Sequence, residues 1–316
     1  MQTAREVAAF LLANDDYLIV THRRPDGDAV GSAAALCRAL RSVGKRAELF
    51  PNPQFLPRFL PLTDGLCGAG DARGKTVITV DTATEKLFPY NAQYLLGKVQ
   101  LAIDHHGSHT PYAAQSWIVP DAAACGELMP ELCEALGAPF TGEIATAVYV
   151  AVSTDTGCFR YTNTTGKTFR VAAQCREAGA ACDYWNRVLF LEKSRNRLDL
   201  EAYLIATAEF YADGSVCFCA LPREKIKELG VSEDELDDIS GFPRDIAGVQ
   251  IGAMFRDVND GAKISLRTYA PYDASAICAE LGGGGHPAAA GATVPGTITD
   301  AKKALCEALR KHGVQI

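Results

Sequence analysis

At 316 residues the chain is longer than one compact core usually supports, so we expect two domains. Hydrophobic residues make up 48% and charged residues 22%, as in ordinary globular proteins, and no apolar run is long enough to predict a membrane span. The net charge of −7 argues against a protein that coats long duplex nucleic acid. It is compatible with a small phosphorylated substrate.

The eleven cysteines are an odd number and are spread along the chain without a CxxC pair. Several of them, such as Cys37 and Cys175, lie within apolar segments that are typical of helices. This pattern favours buried free thiols in a reducing compartment over disulfides or a zinc site. Because the N-terminal segment also lacks a secretory apolar region, we expect a cytoplasmic protein with no membrane partner.

Short apolar runs alternate with helix-like segments through the first half of the chain. Buried strands are predicted at residues 17–20, 47–50, 77–80, 99–103 and 118–119. Helices are predicted at residues 28–43, 126–136, 144–152 and 165–179. Strands that alternate with helices predict an α/β domain with a doubly wound, mostly parallel sheet.

The second half has a different pattern. Residues 185–208 are amphipathic and contain no Gly or Pro, and their second half predicts a helical connector. Strands then follow at 209–221, 247–257, 263–269 and 289–294, and helices at 273–281 and 299–311. A smaller α+β domain is expected, which gives a catalytic domain at 1–190, a helical linker at 191–208 and a second domain at 209–316.

Candidate metal ligands follow apolar runs at four places in the first half. These candidates are His22, Asp26 and Asp28; then Asp81; then Asp104, His105 and His106; and finally Asp155. Ligands collect at the carboxyl ends of the strands in an open α/β sheet, so we expect these side chains to converge. The run before Asp155 fits a buried strand, although residues 144–152 also predict a helix.

Histidine and aspartate without thiolates suit manganese better than structural zinc. Two divalent ions about 3.5–4 Å apart can clamp a phosphoryl group and activate water between them. The helix that begins near Asp28 would present its N-terminus, with Gly31 and Ser32, to a bound phosphate. Taken alone, Asp26 and Asp28 also fit turn and capping residues, and Asp81 fits a strand-end cap. The four groups together favour a metal site.

This motif set resembles the DHH phosphoesterase superfamily, and within it the bifunctional oligoribonucleases that also act as 3'-phosphoadenosine 5'-phosphate phosphatases. The resemblance covers both predicted domains and nearly the whole chain. It implies two manganese ions with Asp81 as the bridging ligand. The implied ligands are His22, Asp26 and Asp81 for one ion, and Asp28, Asp81, His105 and Asp155 for the other.

The same resemblance implies roles for two further residues. His106 would face the scissile phosphate, and Asp104 would orient a histidine. A hydroxide held between the metals would attack phosphorus in line, and His106 would stabilise the phosphate oxygens or protonate the leaving group. The chain departs from the family pattern just after His106, because Gly107-Ser108-His109 stands where relatives commonly have a Pro-Ser-Asn-like sequence.

The glycine-rich segment Gly282–Pro287 is the second strong signal. Four consecutive glycines let backbone amides approach an anion, and a flexible linker is disfavoured because the segment lies between an amphipathic helix and an apolar strand. The segment resembles the glycine-rich motif of the DHH-associated domain. In that family an arginine in a Ser-Leu-Arg context binds a substrate phosphate, although a lone strand arginine is also often solvated. The implied substrate-binding residues, opposite the metals across a cleft, are Arg267, Gly283, Gly284, Gly285 and His286.

We therefore expect a manganese-dependent phosphoesterase for RNAs of about two to five nucleotides, including pApA and pGpG, and for 3'-phosphoadenosine 5'-phosphate. A cyclic-di-AMP phosphodiesterase shares every motif and remains an alternative. A manganese pyrophosphatase ranks low because its second domain lacks this glycine-rich segment with its histidine. A regulator without catalysis is also disfavoured, since every proposed ligand is present. A homodimer is compatible with the chain, although no dimerisation stripe is evident.

Overall fold

The computed structural model describes residues 2–232, 234–236 and 239–316. The chain divides into two compact units, Met1–Glu192 and Lys193–Ile316. Among the described residues, no helix is both long enough and apolar enough to cross a membrane.

The first unit is built on a five-stranded sheet with the strand order β2-β1-β3-β4-β5. The strands are β1 (Tyr17–Val20), β2 (Ala47–Leu49), β3 (Thr76–Val80), β4 (Val99–Asp104) and β5 (Gln115–Ile118). The helices are α1 (Ala4–Ala13), α2 (Gly27–Ser42), α3 (Leu60–Thr63), α4 (Met129–Leu136), α5 (Gly142–Asp155), α6 (Gly166–Glu177) and α7 (Cys182–Asn186). Short helical turns lie at Pro57–Phe59, Glu85–Leu87, Tyr90–Leu95, Cys125–Leu128 and Arg187–Leu191. Every neighbouring pair of strands is parallel, so all five carboxyl ends lie at one edge.

Both faces of this sheet are buried. Alternate residues of β1 enter different apolar clusters, with Tyr17 and Ile19 in one and Leu18 and Val20 in the other. Strands covered on both faces need apolar residues at every position, which explains the continuous apolar runs in the sequence. The predicted α/β class with a doubly wound parallel sheet is confirmed.

Helices α2 and α5 pack closely through small residues. Gly31 of α2 is buried, and a Cβ there would lie 2.4 Å from the carbonyl oxygen of Ala147 in α5. Ser32 is also buried, and its Oγ donates to Asp28 Oδ1 over 2.9 Å. Gly31 and Ser32 therefore serve helix packing and the support of Asp28. The expectation that they face a bound phosphate is wrong.

Asp155 is the last residue of helix α5. The apolar run before it is buried on every side, with Val148, Val150 and Val152 all at 0% exposure. A run that is apolar on all faces lacks helical periodicity, so sequence alone cannot distinguish it from a buried strand. The strand interpretation of this run is wrong, and the helix predicted at 144–152 is confirmed.

The second unit contains a six-stranded mixed sheet with the order β10-β11-β9-β8-β7-β6. The strands are β6 (Glu209–Tyr211), β7 (Val216–Leu221), β8 (Ile251–Val258), β9 (Gly261–Thr268), β10 (Gly284–His286) and β11 (Ala289–Val294). The helices are α8 (Arg195–Ala206), α9 (Arg223–Leu229), α10 (Ala274–Ala279) and α11 (Ile298–Lys311), with short turns at Asp234–Leu236 and Ile239–Asp245. The β7–β8 pair is parallel and the other pairs are antiparallel.

Helices cover both faces of this second sheet. Leu200 and Leu204 of α8 are fully buried in a cluster with Cys217 and Cys219 of β7. The other face packs against α10 and α11 in a separate apolar cluster. Part of the segment expected to be a glycine-rich loop is a strand, because Gly284–His286 pairs with β11. The expected α+β architecture is confirmed.

Candidate metal centre and phosphate cradle

The loop between β1 and α2 brings three candidate ligands to the carboxyl edge of the first sheet. Asp26 caps α2, since its Oδ1 accepts from the amide of Ala29 over 3.0 Å, and it lies 3.9 Å from His22 Nε2. Asp28 is buried in the first turn of α2. Its carboxylate accepts from the backbone amides of Cys125 and Gly126 over 2.6 and 2.9 Å. The fold therefore fixes both aspartates before any metal is considered.

Asp81 lies between two histidines. Its Oδ2 is 3.7 Å from His22 Nε2, and its Oδ1 is 3.6 Å from His105 Nε2. The side chain is 2% exposed, and Oδ1 accepts no hydrogen bond from the described part of the chain. Asp81 also has a left-handed backbone, with φ of +53°. A buried carboxylate oxygen without a donor is costly and calls for a cation.

Asp104 is the last residue of β4 and organises the histidines that follow it. It is fully buried and accepts from the amides of His105 and His106, from His106 Nδ1 over 2.8 Å and from His109 Nδ1 over 2.7 Å. Burial opposes ionisation, but hydrogen bonds from His106 and His109 lower the pKa of Asp104 below its usual value. Asp104 is therefore an anionic anchor for two imidazole rings.

His105 faces the remaining carboxylates. Its Nδ1 lies 3.1 Å from the carbonyl oxygen of Ala122, which holds the ring so that Nε2 carries the lone pair. Nε2 is 3.6 Å from carboxylate oxygens of Asp28, Asp81 and Asp155. These contacts bring the four sequence segments together at one point, as the motif spacing predicted.

The carboxyl groups at this point repel one another. Burial, with the nearby charges of Asp28 and Asp26, raises the pKa of Asp155 to about 8. Burial and the charge of Asp28 also raise the pKa of Asp81 well above its usual value. Crowded, buried carboxylates of this kind are stabilised when divalent cations bind between them. Among the residues that the structure describes, three donor groups could hold an ion: His22, Asp26 and Asp81; Asp28, His105 and Asp155; and Asp81, His105 and His106.

The donor atoms of these groups are carboxylate oxygens and imidazole nitrogens. Cys125 lies close by, but burial raises the pKa of its thiol well above its usual value, and its Sγ contacts Ile103 O at 3.6 Å. It therefore stays a protonated, buried thiol. A nitrogen and oxygen donor set without thiolate suits hard or borderline divalent ions.

Several supporting groups carry no obvious signal in the sequence. The amides of Cys125 and Gly126 act through their backbone, which residue type does not reveal. Asn163 looks like a helix-capping residue, yet its Nδ2 donates to the carbonyl oxygens of Ala123 and Asp155, each over 3.1 Å. His109 was visible only as a departure from the family pattern, and it proves to be a buried partner of Asp104.

In the second unit, Arg267 and His286 share one row of the sheet. Arg267 of β9 is opposite Ala289 of β11, and Ala289 is opposite His286 of β10. Directly opposed residues point to the same face, so the small Ala289 separates two cationic or polar side chains about 10 Å apart. Arg267 Nη2 donates to Ser240 Oγ over 3.0 Å. This row is suited to an anionic group.

The glycines before His286 differ in whether packing leaves room for a side chain. A Cβ on Gly283 would lie 2.2 Å from Gly291 O, and a Cβ on Gly285 would lie 2.6 Å from Ala289 O. Hairpin packing therefore accounts for both residues. A Cβ on Gly284 would meet nothing within 4 Å, so its backbone is open to approach by a ligand.

Comparison with known proteins agrees with this geometry. Residues 16–152 match the DHH family, N-terminal domain, and residues 213–311 match the DHHA1 domain. The chain is 33% identical to the bifunctional oligoribonuclease and PAP phosphatase NrnA of Thermus thermophilus, covering 93% of this chain and 89% of that protein. It is 25% identical to the NrnA of Bacillus subtilis, over 89% of this chain and 90% of that protein.

Solved structures show the same fold. An exopolyphosphatase-related protein from Bacteroides fragilis superposes with a TM-score of 0.87 and 23% identity, over 98% of this chain and 96% of that one. The exonuclease RecJ bound to manganese superposes with a TM-score of 0.50 and 16% identity, over 98% of this chain and 95% of that one. The chain therefore belongs to the DHH family and is a metal-dependent phosphoesterase with a DHHA1 domain.

Proposed function

We propose that this protein uses two manganese ions to hydrolyse RNAs of about two to five nucleotides, including pApA and pGpG, and 3'-phosphoadenosine 5'-phosphate. The names of the relatives from T. thermophilus and B. subtilis support this choice of substrates. In this proposal residues 1–190 carry the reaction, 191–208 link the domains and 209–316 bind substrate. The cytoplasmic location stays a prediction from the eleven cysteines, all of which are free thiols.

The position of Asp81 is the observation that carries the proposal. Its two oxygens face His22 and His105, which belong to separate donor groups. A carboxylate with one oxygen toward each group is suited to bridging two ions. The proposed ligands are His22, Asp26 and Asp81 for one ion, and Asp28, Asp81, His105 and Asp155 for the other.

When bound, the two ions would supply an activated water and offset the charge that develops on the phosphoryl oxygens. The protein's own side chains would orient the substrate and supply protons to it. Asp104 holds His106 through Nδ1, which leaves Nε2 of a 36% exposed imidazole for the substrate. In its protonated form, in which both ring nitrogens carry hydrogen, His106 would donate a hydrogen bond from Nε2 to a phosphate oxygen or a proton to the leaving group.

The second unit would bind a phosphate group of the substrate. Arg267 and His286 flank Ala289 on one face of the sheet, and Gly284 leaves room for a backbone contact. We propose that this row, with Gly283 and Gly285 shaping the hairpin, binds a terminal phosphate of the substrate.

The test is hydrolysis of four substrates with and without manganese: pApA, 3'-phosphoadenosine 5'-phosphate, cyclic-di-AMP and pyrophosphate. Wild-type protein should hydrolyse the first two only when manganese is present, and Asp81→Ala should abolish both activities. Asp64→Ala, at an exposed carboxylate, is the matched control and should behave as wild type. Preferential use of cyclic-di-AMP or pyrophosphate would contradict the substrate assignment. Full activity of Asp81→Ala would contradict the metal assignment.

A further inference from the structure

The chain makes a left-handed turn immediately after Asp155. Gly157, Cys158 and Phe159 have φ angles of +56°, +57° and +63°. Such backbone is unfavourable for residues with a Cβ, most of all for a bulky one, and persists only where its surroundings hold it. A run of three such residues next to a candidate ligand therefore needs a structural cause and suggests a functional reason.

Hydrogen bonds and ring packing hold this turn. Thr156 O accepts from the amides of Arg160 and Tyr161, both over 3.0 Å. Thr156 Oγ1 accepts from the amide of Phe159 over 3.1 Å. The Phe159 ring stacks on Phe169, with centroids 5.6 Å apart and planes at 24°. These contacts fix the backbone of the turn and of the two residues that follow it.

Arg160 and Tyr161 are the exposed side chains that directly follow this turn, five and six residues after Asp155. Arg160 donates Nε to Gly157 O over 2.6 Å, and its guanidinium has no carboxylate partner among the described residues. Tyr161 is 51% exposed. It also rests against Gly157, where a Cβ would fall 2.4–2.6 Å from three ring atoms. Both side chains are therefore anchored to backbone two residues beyond Asp155.

We infer that Arg160 and Tyr161 form a nucleotide subsite beside the metal centre, in which the guanidinium binds a phosphate and the ring stacks on a nucleobase. This inference rests on the proposed function. Arg160 has no carboxylate partner within the described part of the chain, although the protein has a net charge of −7. It therefore fits an anionic ligand better than a structural ion pair. A half-exposed aromatic ring beside it fits a base, because every base offers a π-face for stacking.

Paired substrates test this assignment: 3'-phosphoadenosine 5'-phosphate and methyl riboside 3',5'-bisphosphate, which has both phosphates but no base. Tyr161→Ala should raise KM for the nucleotide by roughly 5- to 100-fold and leave KM for the base-free compound unchanged. Tyr161→Phe keeps the ring and should restore the wild-type KM. Arg160→Ala should raise KM for both compounds. Manganese affinity, measured by calorimetry, should stay at the wild-type value in all three variants.

Tyr184→Ala is the matched control. Tyr184 is 46% exposed and lines a groove with residues 141–144, at the opposite end of α5 from Asp155, so both KM values should be unchanged. The inference would be overturned if Tyr161→Ala changed the KM of both compounds equally, changed neither, or lost manganese binding. The proposed function would stand in each of these cases. Absence of turnover by the wild type would instead refute the proposed function, and the inference with it.

Discussion

Replacing Asp155 with asparagine should stabilise the metal-free protein while weakening its manganese binding. Burial and the charges of Asp28 and Asp26 raise the pKa of Asp155 from 3.8 to about 8. At pH 7 an acid with this shift costs the folded state about 4 kcal/mol. Because the side chain is 30% exposed, water screens part of this cost, and we expect the asparagine variant to gain about 1–3 kcal/mol.

The raised pKa of Asp155 determines how this difference in stability depends on pH. The folded-state pKa lies above the unfolded value of 3.8, so the carboxyl costs nothing while both states are protonated, below about pH 4. The cost grows from there and levels off above about pH 8. The stability advantage of Asp155→Asn should therefore be absent at low pH, grow through neutral pH and be largest at about pH 8.

Urea unfolding in a chelator, from pH 4 to pH 8, measures this difference. In thermal unfolding of a unit of this size, each kcal/mol of added stability should raise Tm by about 2–4 °C. Asp64→Asn, at an exposed position, is the control and should match the wild type at every pH. Added manganese should stabilise the wild type more than Asp155→Asn. A variant that is less stable than the wild type at pH 7, or an advantage independent of pH, would refute this electrostatic reasoning.

Three further predictions concern the supporting residues. His109→Ala removes a 2.7 Å hydrogen bond to Asp104 and should lower kcat about 10- to 100-fold, with manganese stoichiometry unchanged by calorimetry; an unaltered kcat would exclude this role. Asn163→Ala removes two 3.1 Å hydrogen bonds and should weaken manganese binding by up to about tenfold, whereas wild-type affinity would contradict its supporting role. Gly283→Ala should lower the Tm of the protein, because its Cβ would lie 2.2 Å from Gly291 O, while Gly284→Ala should melt like the wild type. Equal melting of the two glycine variants would refute the packing argument.

Local chain properties predicted most of the fold. Buried strands such as β1 were visible as apolar runs because both faces of a parallel sheet are covered. Helix α5 was harder to assign, since its valines are buried on every side and no periodicity remains. The β10 strand was hidden because glycine has no strand propensity, and pairing with β11 is a tertiary effect.

The candidate ligands were visible because histidine and aspartate directly after apolar runs are distinctive residue types. The groups that orient them were not, because they act through backbone atoms or through contacts distant in sequence. The amide of Cys125 contacts Asp28 across 97 positions, and Asn163 joins segments 40 positions apart. Gly31 and Ser32 show the opposite error, since the sequence suggested a ligand-binding role that they do not have. Their position near a helix N-terminus does not reveal that close packing against α5 buries them.

The most direct test of the central claim counts manganese ions and measures pApA hydrolysis in the same preparations of wild type and Asp81→Asn. The proposed bridging role of Asp81 predicts two ions per wild-type chain with magnetically coupled electron paramagnetic resonance signals. In Asp81→Asn the coupling and the hydrolysis should be lost together. A single ion per active wild-type chain, or full hydrolysis by Asp81→Asn, would contradict the two-metal account.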